Sequence, residues 1–350
     1  MSETRKIDVI IPTYHPDEKL EKCLRMLKRQ TVQPQRILLI NTEEEFFHSK
    51  VFSTLKQGEI VHITKPEFDH GGTRNQAAAM CDGEIMILLT QDAIPANEQL
   101  IENLIKPFED EEVCAAYGRQ MADKKDNPVE AYTRIFNYPK ESRIKSKEDL
   151  PKLGIKTFFC SNVCAAYRKS EYNALGGFPL HTIFNEDMIF ASHLIEAGKK
   201  IAYAADAKVW HWHNYTAKDQ LKRNFDLAVS QVDAGGLFTQ VKSESEGIRL
   251  VKMTLRHFIK KGQFYYIPKI ITQNGAKYIG YRLGKNYKKL PKSGFLRFLL
   301  TRGIGNKNWG MQIAGMIFQT RFSIARYHIC KKKVLQTSFC KRIRNSLNKL

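Results

Sequence analysis

The first 120 residues of this 350-residue chain alternate short apolar runs with helical segments, and that alternation restricts the fold more than any other feature. Ile7–Pro12, Arg36–Ile40, Ile60–Ile63, Glu84–Leu89 and Val113–Tyr117 have the length and apolar content of buried strands. Between them, Asp17–Arg29 sets Leu20, Cys23, Leu24 and Leu27 on one helical face. Thr73–Cys81 reads as an Ala-rich helix after a Gly-Gly turn, and Asn97–Phe108 as another helix. Apolar strands separated by helices predict a parallel sheet covered on both faces. Such sheets bind ligands beyond the carboxyl ends of their strands. Thr13, Asn41, Asp92 and Arg119 are therefore candidates by position.

The later chain is less regular. Residues 120–156 are polar and rich in Lys, Asp and Pro, and read as a lid or excursion. Residues 157–215 return to mixed structure, and Ala217–Asp233 has helical spacing. From Ser243 the chain is basic and aromatic and reads as several short helices. Charge divides the same way. Residues 1–217 hold 28 Lys and Arg against 31 Asp and Glu, a net −3, whereas residues 218–350 hold 28 against 5, a net +23. No acidic residue follows Glu246. A surface of that sign attracts nucleic acid, anionic lipid or an acidic substrate. No apolar run reaches 18 residues, so no transmembrane helix is expected. The apolar stretch near the N-terminus is too short for a signal-peptide core, which predicts a cytoplasmic chain. The 7 cysteines lack a dense pattern and are expected to be reduced packing residues.

Four groups of residues have chemical potential. Asp92, in Thr-Gln-Asp-Ala after a buried strand, suits a divalent cation held against a diphosphate, and equally suits a turn. Glu186-Asp187 precedes a helical pattern. An acidic pair there caps a helix and meets its dipole, or supplies a general base. His211-Trp-His213 follows a strand-like segment, and alternate residues would face one site as cation ligands or as half-buried edge residues. Asp69-His70-Gly71-Gly72-Thr73-Arg74-Asn75 is the most unusual string. Gly-Gly admits a close backbone approach, the following helix start offers N–H groups to an anion, and Arg74 suits phosphate. Ser161-Asn162 and Gly176-Gly177-Phe178 lie before the acidic pair. Cys160 and Cys164 do not have zinc-site spacing.

In order, Val9-Ile-Ile-Pro-Thr-Tyr14, Asn41, Asp92, Gly176-Gly-Phe178, Asn185-Glu-Asp187 and His211-x-His213 resemble the nucleotide-sugar glycosyltransferases of family 2 over about residues 5–235. Phe68–Asn75, Leu89–Ala93 and His211–Thr216 resemble the bacterial rhamnosyltransferases of that family, which use dTDP-L-rhamnose to build cell-surface polysaccharides. The resemblance implies an α/β type A glycosyltransferase fold, a Rossmann-like, mostly parallel sheet with helices on both faces. It implies a transferase domain over residues 1–240 and a basic, mainly helical region over 241–350. It also implies an inverting displacement in which a hydroxyl of a polysaccharide or lipid-linked glycan attacks the anomeric carbon. Pro12, Thr13 and Asn41 would line the base and ribose pocket. Asp69, His70, Gly72 and Arg74 would contact ribose, diphosphate or deoxysugar, with Gln91 and Arg119 also on the donor side. Asp92 would hold Mg²⁺ or Mn²⁺, with His211 or His213 as a further ligand. Asp187 would be the general base, with Glu186, Ser161 and Asn162 on the acceptor side. Many members carry Asp-x-Asp at the metal motif, whereas Gln91-Asp92 keeps one carboxylate, which leaves strict metal dependence open.

A lipid-linked acceptor gives the basic C-terminal part a role as a peripheral surface on anionic membrane. Leu283–Phe298 and Trp309–Tyr327 interleave aromatic and basic residues as interfacial helices do. A solvated helical region or a homo-oligomer contact is the alternative. A nucleic-acid partner is not expected, because the motif-bearing half is slightly acidic and no nucleic-acid motif occurs. Transfer of another sugar, from a UDP-hexose or N-acetylhexosamine donor, a nucleic-acid-binding protein and a catalytically silent scaffold are the competing readings.

Overall fold

Side chains alternate along the first strand: Ile7, Val9 and Ile11 join the core on one face of the sheet, and Ile10 joins the core on the other. The computed structural model describes residues 5–123, 127–236 and 244–290, all within one compact unit, Met1–Thr301. The elements run β1 (Ile7–Tyr14), α1 (Glu18–Leu27), β2 (Arg36–Thr42), β3 (Gly58–Ile63), α2 (His70–Met80), β4 (Ile85–Leu89), β5 (Ile94–Pro95) and α3 (Leu100–Ile105). They continue with β6 (Val113–Met121), α4 (Pro128–Asn137), β7 (Arg143–Lys145), α5 (Leu150–Leu153), β8 (Cys164–Arg168) and α6 (Lys169–Ala174). The last are α7 (Glu186–Glu196), β9 (Lys200–Trp210), α8 (Ala217–Ala234), α9 (Glu244–Lys260) and α10 (Ile267–Lys285).

The strands form one nine-stranded sheet in the order β3-β2-β1-β4-β8-β6-β9-β5, with β7 also paired to β9. The expected parallel pairs are present: β3–β2, β2–β1, β1–β4 and β6–β9. The sheet is mixed rather than wholly parallel, because β8 runs antiparallel between β4 and β6, and β5 and β7 run antiparallel to β9. Leu20, Cys23, Leu24 and Leu27 of α1 pack with Leu100, Ile101 and Leu104 of α3 on one face. Ala77 and Ala78 of α2 pack with Phe190, Leu194 and Ile195 of α7 on the other. The Asp17 carboxylate caps α1 by accepting from Lys19 N at 2.8 Å.

Three expectations are corrected. Gly71 and Gly72 lie inside the first turn of α2 and not in a turn before it, because Asp69 is the cap and accepts from Gly72 N at 2.5 Å. The segment 120–156 is more than an excursion: α4 packs against the C-terminal helices through Val129, Phe258 and Ile270, and β7 joins the sheet. Residues 244–290 hold two helices of 17 and 19 residues in place of several short ones. Helix α10 lies along α8, with Tyr281 donating to Gln231 Oε1 at 3.3 Å and Tyr287 bonded to Asp233. Trp309–Tyr327 lies outside the described residues, and Leu283–Phe298 is described only to Leu290. No helix among the described residues is long and apolar enough to cross a membrane. Cys23, Cys81, Cys114, Cys160 and Cys164 are free and buried, as expected.

The distal half of β6 positions the site. Pairing with β9 slips at Gly118: Gly118 faces Ala204, and the next residue, Arg119, faces Lys208. A Cβ at Gly118 would stand 2.6 Å from the Ala207 carbonyl oxygen, so the bulged backbone needs glycine there. Beyond the bulge the strand runs on to Met121, four residues past its expected end. Gln120 is thereby buried in the sheet beside His211.

Candidate active site

At the carboxyl ends of β1 and β2, Thr13 Oγ1 donates to Asn41 Oδ1 at 3.0 Å. Asn41 Nδ2 in turn donates to Glu43 O at 3.1 Å. Pro12 is half-buried beside them. Gln91 is bonded both ways to Tyr14: its Oε1 accepts from Tyr14 N at 2.8 Å, and its Nε2 donates to Tyr14 O at 3.0 Å. That two-point clamp ties the end of β1 to the loop after β4 and fixes the next residue, Asp92.

Asp92 Oδ2 lies 3.5 Å from His211 Nε2 and 3.4 Å from His213 Nε2. The three ligand atoms lie within 4.8 Å of one another. Burial holds His211 well below the ordinary imidazole pKa, and the nearby Arg134 charge adds to that. Burial also lowers His213, against the pull of the Asp92 carboxylate. Both rings are therefore neutral near pH 7, the form in which imidazole is a ligand. Hydrogen bonding fixes the His211 tautomer. Arg134 only donates, and it is bonded to Gln120 Oε1. His211 Nδ1, 3.0 Å from the same oxygen, must therefore carry the proton. The lone pair of Nε2 is left facing Asp92 and His213, whose Nε2 is 3.1 Å away. A ligating histidine is ordinarily oriented by such a partner on its other nitrogen.

Gln120 also joins this cluster to the opposite wall. Its Nε2 donates to Ser161 Oγ at 3.0 Å. The next residue, Asn162, donates its backbone N–H to Asp187 Oδ2 at 3.0 Å and its side-chain amide to Glu186 Oε1 at 3.1 Å. Burial, then the adjacent Glu186 carboxylate, push the Asp187 carboxyl up to about 7 against two backbone N–H bonds. Burial works the same way on Glu186. There the charges of Arg74 and His70 and the Asn162 bond outweigh it, so Glu186 stays below its ordinary value. Two neighbouring carboxyls are thus driven apart, one ionised and one poised near neutrality. Asn185, which precedes them, takes a left-handed φ of 68° that turns the chain into α7.

Residues 69–75 have structural partners. Asp69 caps α2, and Arg74 is bonded to His70 O at 2.8 Å and paired with Glu186 at 3.5 Å. Gly71 meets the Pro179 carbonyl, while Asn75 donates to Phe178 O and accepts from Phe178 N, both at 2.9 Å. The string braces α2 against the Gly177–Pro179 loop and delivers Arg74 to the acidic pair. Arg119, half-buried on β6, stands near enough to Tyr203 for its charge to act on that phenol. Gln120 and Arg134 are not candidates from sequence, although the alternation of β6, read past Tyr117, points to Gln120. Cys160 and Cys164 hold no metal geometry, and burial pushes each thiol up to about 12.

The mixed sheet thus carries a carboxylate–imidazole cluster just beyond its strand ends. Residues 8–176 match the profile of Glycosyl transferase family 2. Over 296 residues the chain is 42% identical to the O-antigen chain rhamnosyltransferase RfbN of Salmonella typhimurium, covering 82% of this chain and 92% of that one. It is 40% identical over 294 residues to the O-antigen chain rhamnosyltransferase WbaN of Salmonella anatum, covering 81% and 91%. Its fold is similar to that of the mannosyltransferase PcManGT from Pyrobaculum calidifontis, solved with GDP-Man and Mn²⁺, with a TM-score of 0.58, 14% identity, and 83% and 89% of the two chains covered. The chain belongs to glycosyl transferase family 2.

Proposed function

We propose that the protein transfers L-rhamnose from dTDP-L-rhamnose, with inversion, to a hydroxyl of a cell-surface polysaccharide or lipid-linked glycan precursor. The geometric observation that carries a transferase reading is the link Asp92–His211–Gln120–Ser161–Asn162–Asp187, which ties a cluster able to ligate a cation to a carboxyl able to accept a proton. Relatedness to two rhamnosyltransferases, each matched over more than nine-tenths of its length, supports the sugar.

In this reading Thr13, Asn41 and the β1 end bind the nucleoside, and Arg74 and His70 stand toward the diphosphate side. Asp92, His211 and His213 would hold a divalent cation, and two imidazoles favour Mn²⁺ over the oxygen-preferring Mg²⁺. The chemistry such an ion would supply is neutralisation of charge on the departing nucleoside diphosphate. Asp187 takes the proton of the acceptor hydroxyl as its oxygen bonds to the anomeric carbon and the bond to the diphosphate breaks. Glu186, paired with Arg74, raises the basicity of Asp187 by its charge.

The test is thermal stabilisation of the full chain by a panel of nucleotide sugars with Mn²⁺, Mg²⁺ or chelator. dTDP-L-rhamnose should raise the midpoint most; selective stabilisation by a UDP-sugar would overturn the donor. In the same assay Gln120→Leu should weaken Mn²⁺ binding about 10–100-fold, since it removes the bond that aims His211. An unchanged Mn²⁺ midpoint would remove His211 from the ligand set.

The partner surface is proposed to be anionic membrane. Helices α9 and α10 expose Ile248, Met253, Ile259, Ile271 and Ile279 among lysines and arginines, the pattern of an interfacial helix. Salt-sensitive binding to anionic vesicles is expected, and no binding at low salt would contradict it.

A further inference from the structure

A cavity of about 440 Å³ opens between the 136–159 segment and α9. Tyr117, Phe159 and Tyr203 make part of its wall, with ring centroids of Tyr117 5.4 Å from Phe159 and 5.1 Å from Tyr203. Five basic side chains line it against two carboxylates, Glu141 and Glu246. Glu246 is occupied: it pairs with Lys156 at 2.7 Å and with Arg249 at 3.2 Å. Both of those cations also flank the Phe136 ring, at 4.5 and 5.3 Å. That cluster anchors α9 and closes one side of the cavity.

The remaining cations are Arg143, Lys145 and Lys152. Among the described residues none of the three has a carboxylate within the 4.0 Å of an ion pair. Lys145 is the unusual one, at 3% exposure. Its ammonium donates to the carbonyls of Lys156 at 3.1 Å and Phe159 at 2.5 Å, and stands 4.8 Å from the Tyr117 ring. Those partners satisfy two of three N–H groups and supply no counter-charge. A buried charge without one is costly. Burial pushes Lys145 down to about 7, with Arg143 adding its own repulsion and the more distant Asp149 carboxylate only partly offsetting them. A multivalent oxyanion relieves both costs at once. The space exceeds what a bare phosphate fills, and aromatic walls suit the apolar face of a sugar ring.

We propose that this cavity binds a phosphoryl group carried on a sugar, held by Arg143, Lys145 and Lys152 against the Tyr117–Phe159–Tyr203 wall, at a site separate from the Asp92–His211–His213 cluster. The site lies behind the catalytic segment: Phe159 belongs to its wall, and three residues on, Asn162 binds Asp187. It stands independently of which sugar the donor carries.

Titration calorimetry of the full chain in chelator, with glucose 1-phosphate as probe, tests this. Wild type should bind glucose 1-phosphate and not glucose. The double variant Arg143→Ala/Lys152→Ala, altered only at exposed positions, should bind it about tenfold more weakly or worse. Its stabilisation by nucleotide sugar in Mn²⁺ should be unchanged. No binding by wild type, equal binding of glucose, or unchanged affinity in the double variant would overturn the proposal. A farnesyl-diphosphate-linked sugar separates the sources. Competition with glucose 1-phosphate upholds the site and assigns it to the linkage of a lipid-borne acceptor. Binding of glucose 1-phosphate without competition upholds it as a site for a soluble sugar phosphate.

Discussion

Asp187→Asn is expected to lower turnover about 10²–10⁴-fold while leaving nucleotide-sugar affinity nearly unchanged, because the carboxylate acts on the acceptor proton. The amide keeps an oxygen for one of the two N–H bonds that hold the side chain, from Asn162 and Met188, so the α7 start should persist. The pH profile is the more specific readout. With the Asp187 carboxyl raised to about 7 by burial and by Glu186, the group is protonated below that pH and cannot accept a proton. Wild-type kcat/KM should therefore fall about tenfold per pH unit on the acid side of neutrality. The residual activity of the variant should lack that limb. Near-normal turnover, or the same limb in the variant, would remove Asp187 from the base role.

Gly71→Ala is the second large effect, and its sign opposes simple propensity. Glycine to alanine inside a helix ordinarily stabilises by up to about 1 kcal/mol. Here the new Cβ would stand 2.0 Å from the Pro179 carbonyl oxygen, a backbone atom. Helix α2 must then move from the 177–179 loop, which also strains the three partners of Asn75: Phe178 N, Phe178 O and Tyr172 Oη. A loss of about 3 kcal/mol is expected, at the upper end for overpacking. That is a fall of about 5 °C in Tm for a unit of this size. Calorimetry checks it, and an unchanged or higher Tm would show that the α2 contact yields freely.

These two residues show what the sequence carried. The acidic pair Glu186–Asp187 was legible as the start of a helix. The raised basicity of Asp187 was not, since it depends on Arg74 and Asn162 from distant segments pairing with Glu186 and leaving Asp187 exposed to burial and repulsion. Gly71 was conspicuous for the wrong physical reason: its close approach is to Pro179, over a hundred residues away, and no local pattern encodes that. The strands were legible from apolar runs. The antiparallel insertion of β8 was not, because Cys164–Arg168 is short and Ala-rich and its direction is set by its neighbours. Gln120 escaped because apolar content ends at Tyr117, while hydrogen bonding carries β6 through a bulge to Met121. The meeting of Asp92 with the histidines was an implication of the family resemblance, which left open which of the two would join it; no local pattern encodes a contact between positions more than a hundred residues apart.

The most direct test of the account is transfer itself. The full chain, with Mn²⁺, dTDP-L-rhamnose and a lipid-linked glycan fraction as acceptor, should yield a rhamnosylated product whose new linkage has the anomeric configuration opposite to that of the donor, read by NMR. A product of retained configuration, or transfer only from a UDP-sugar, would contradict it.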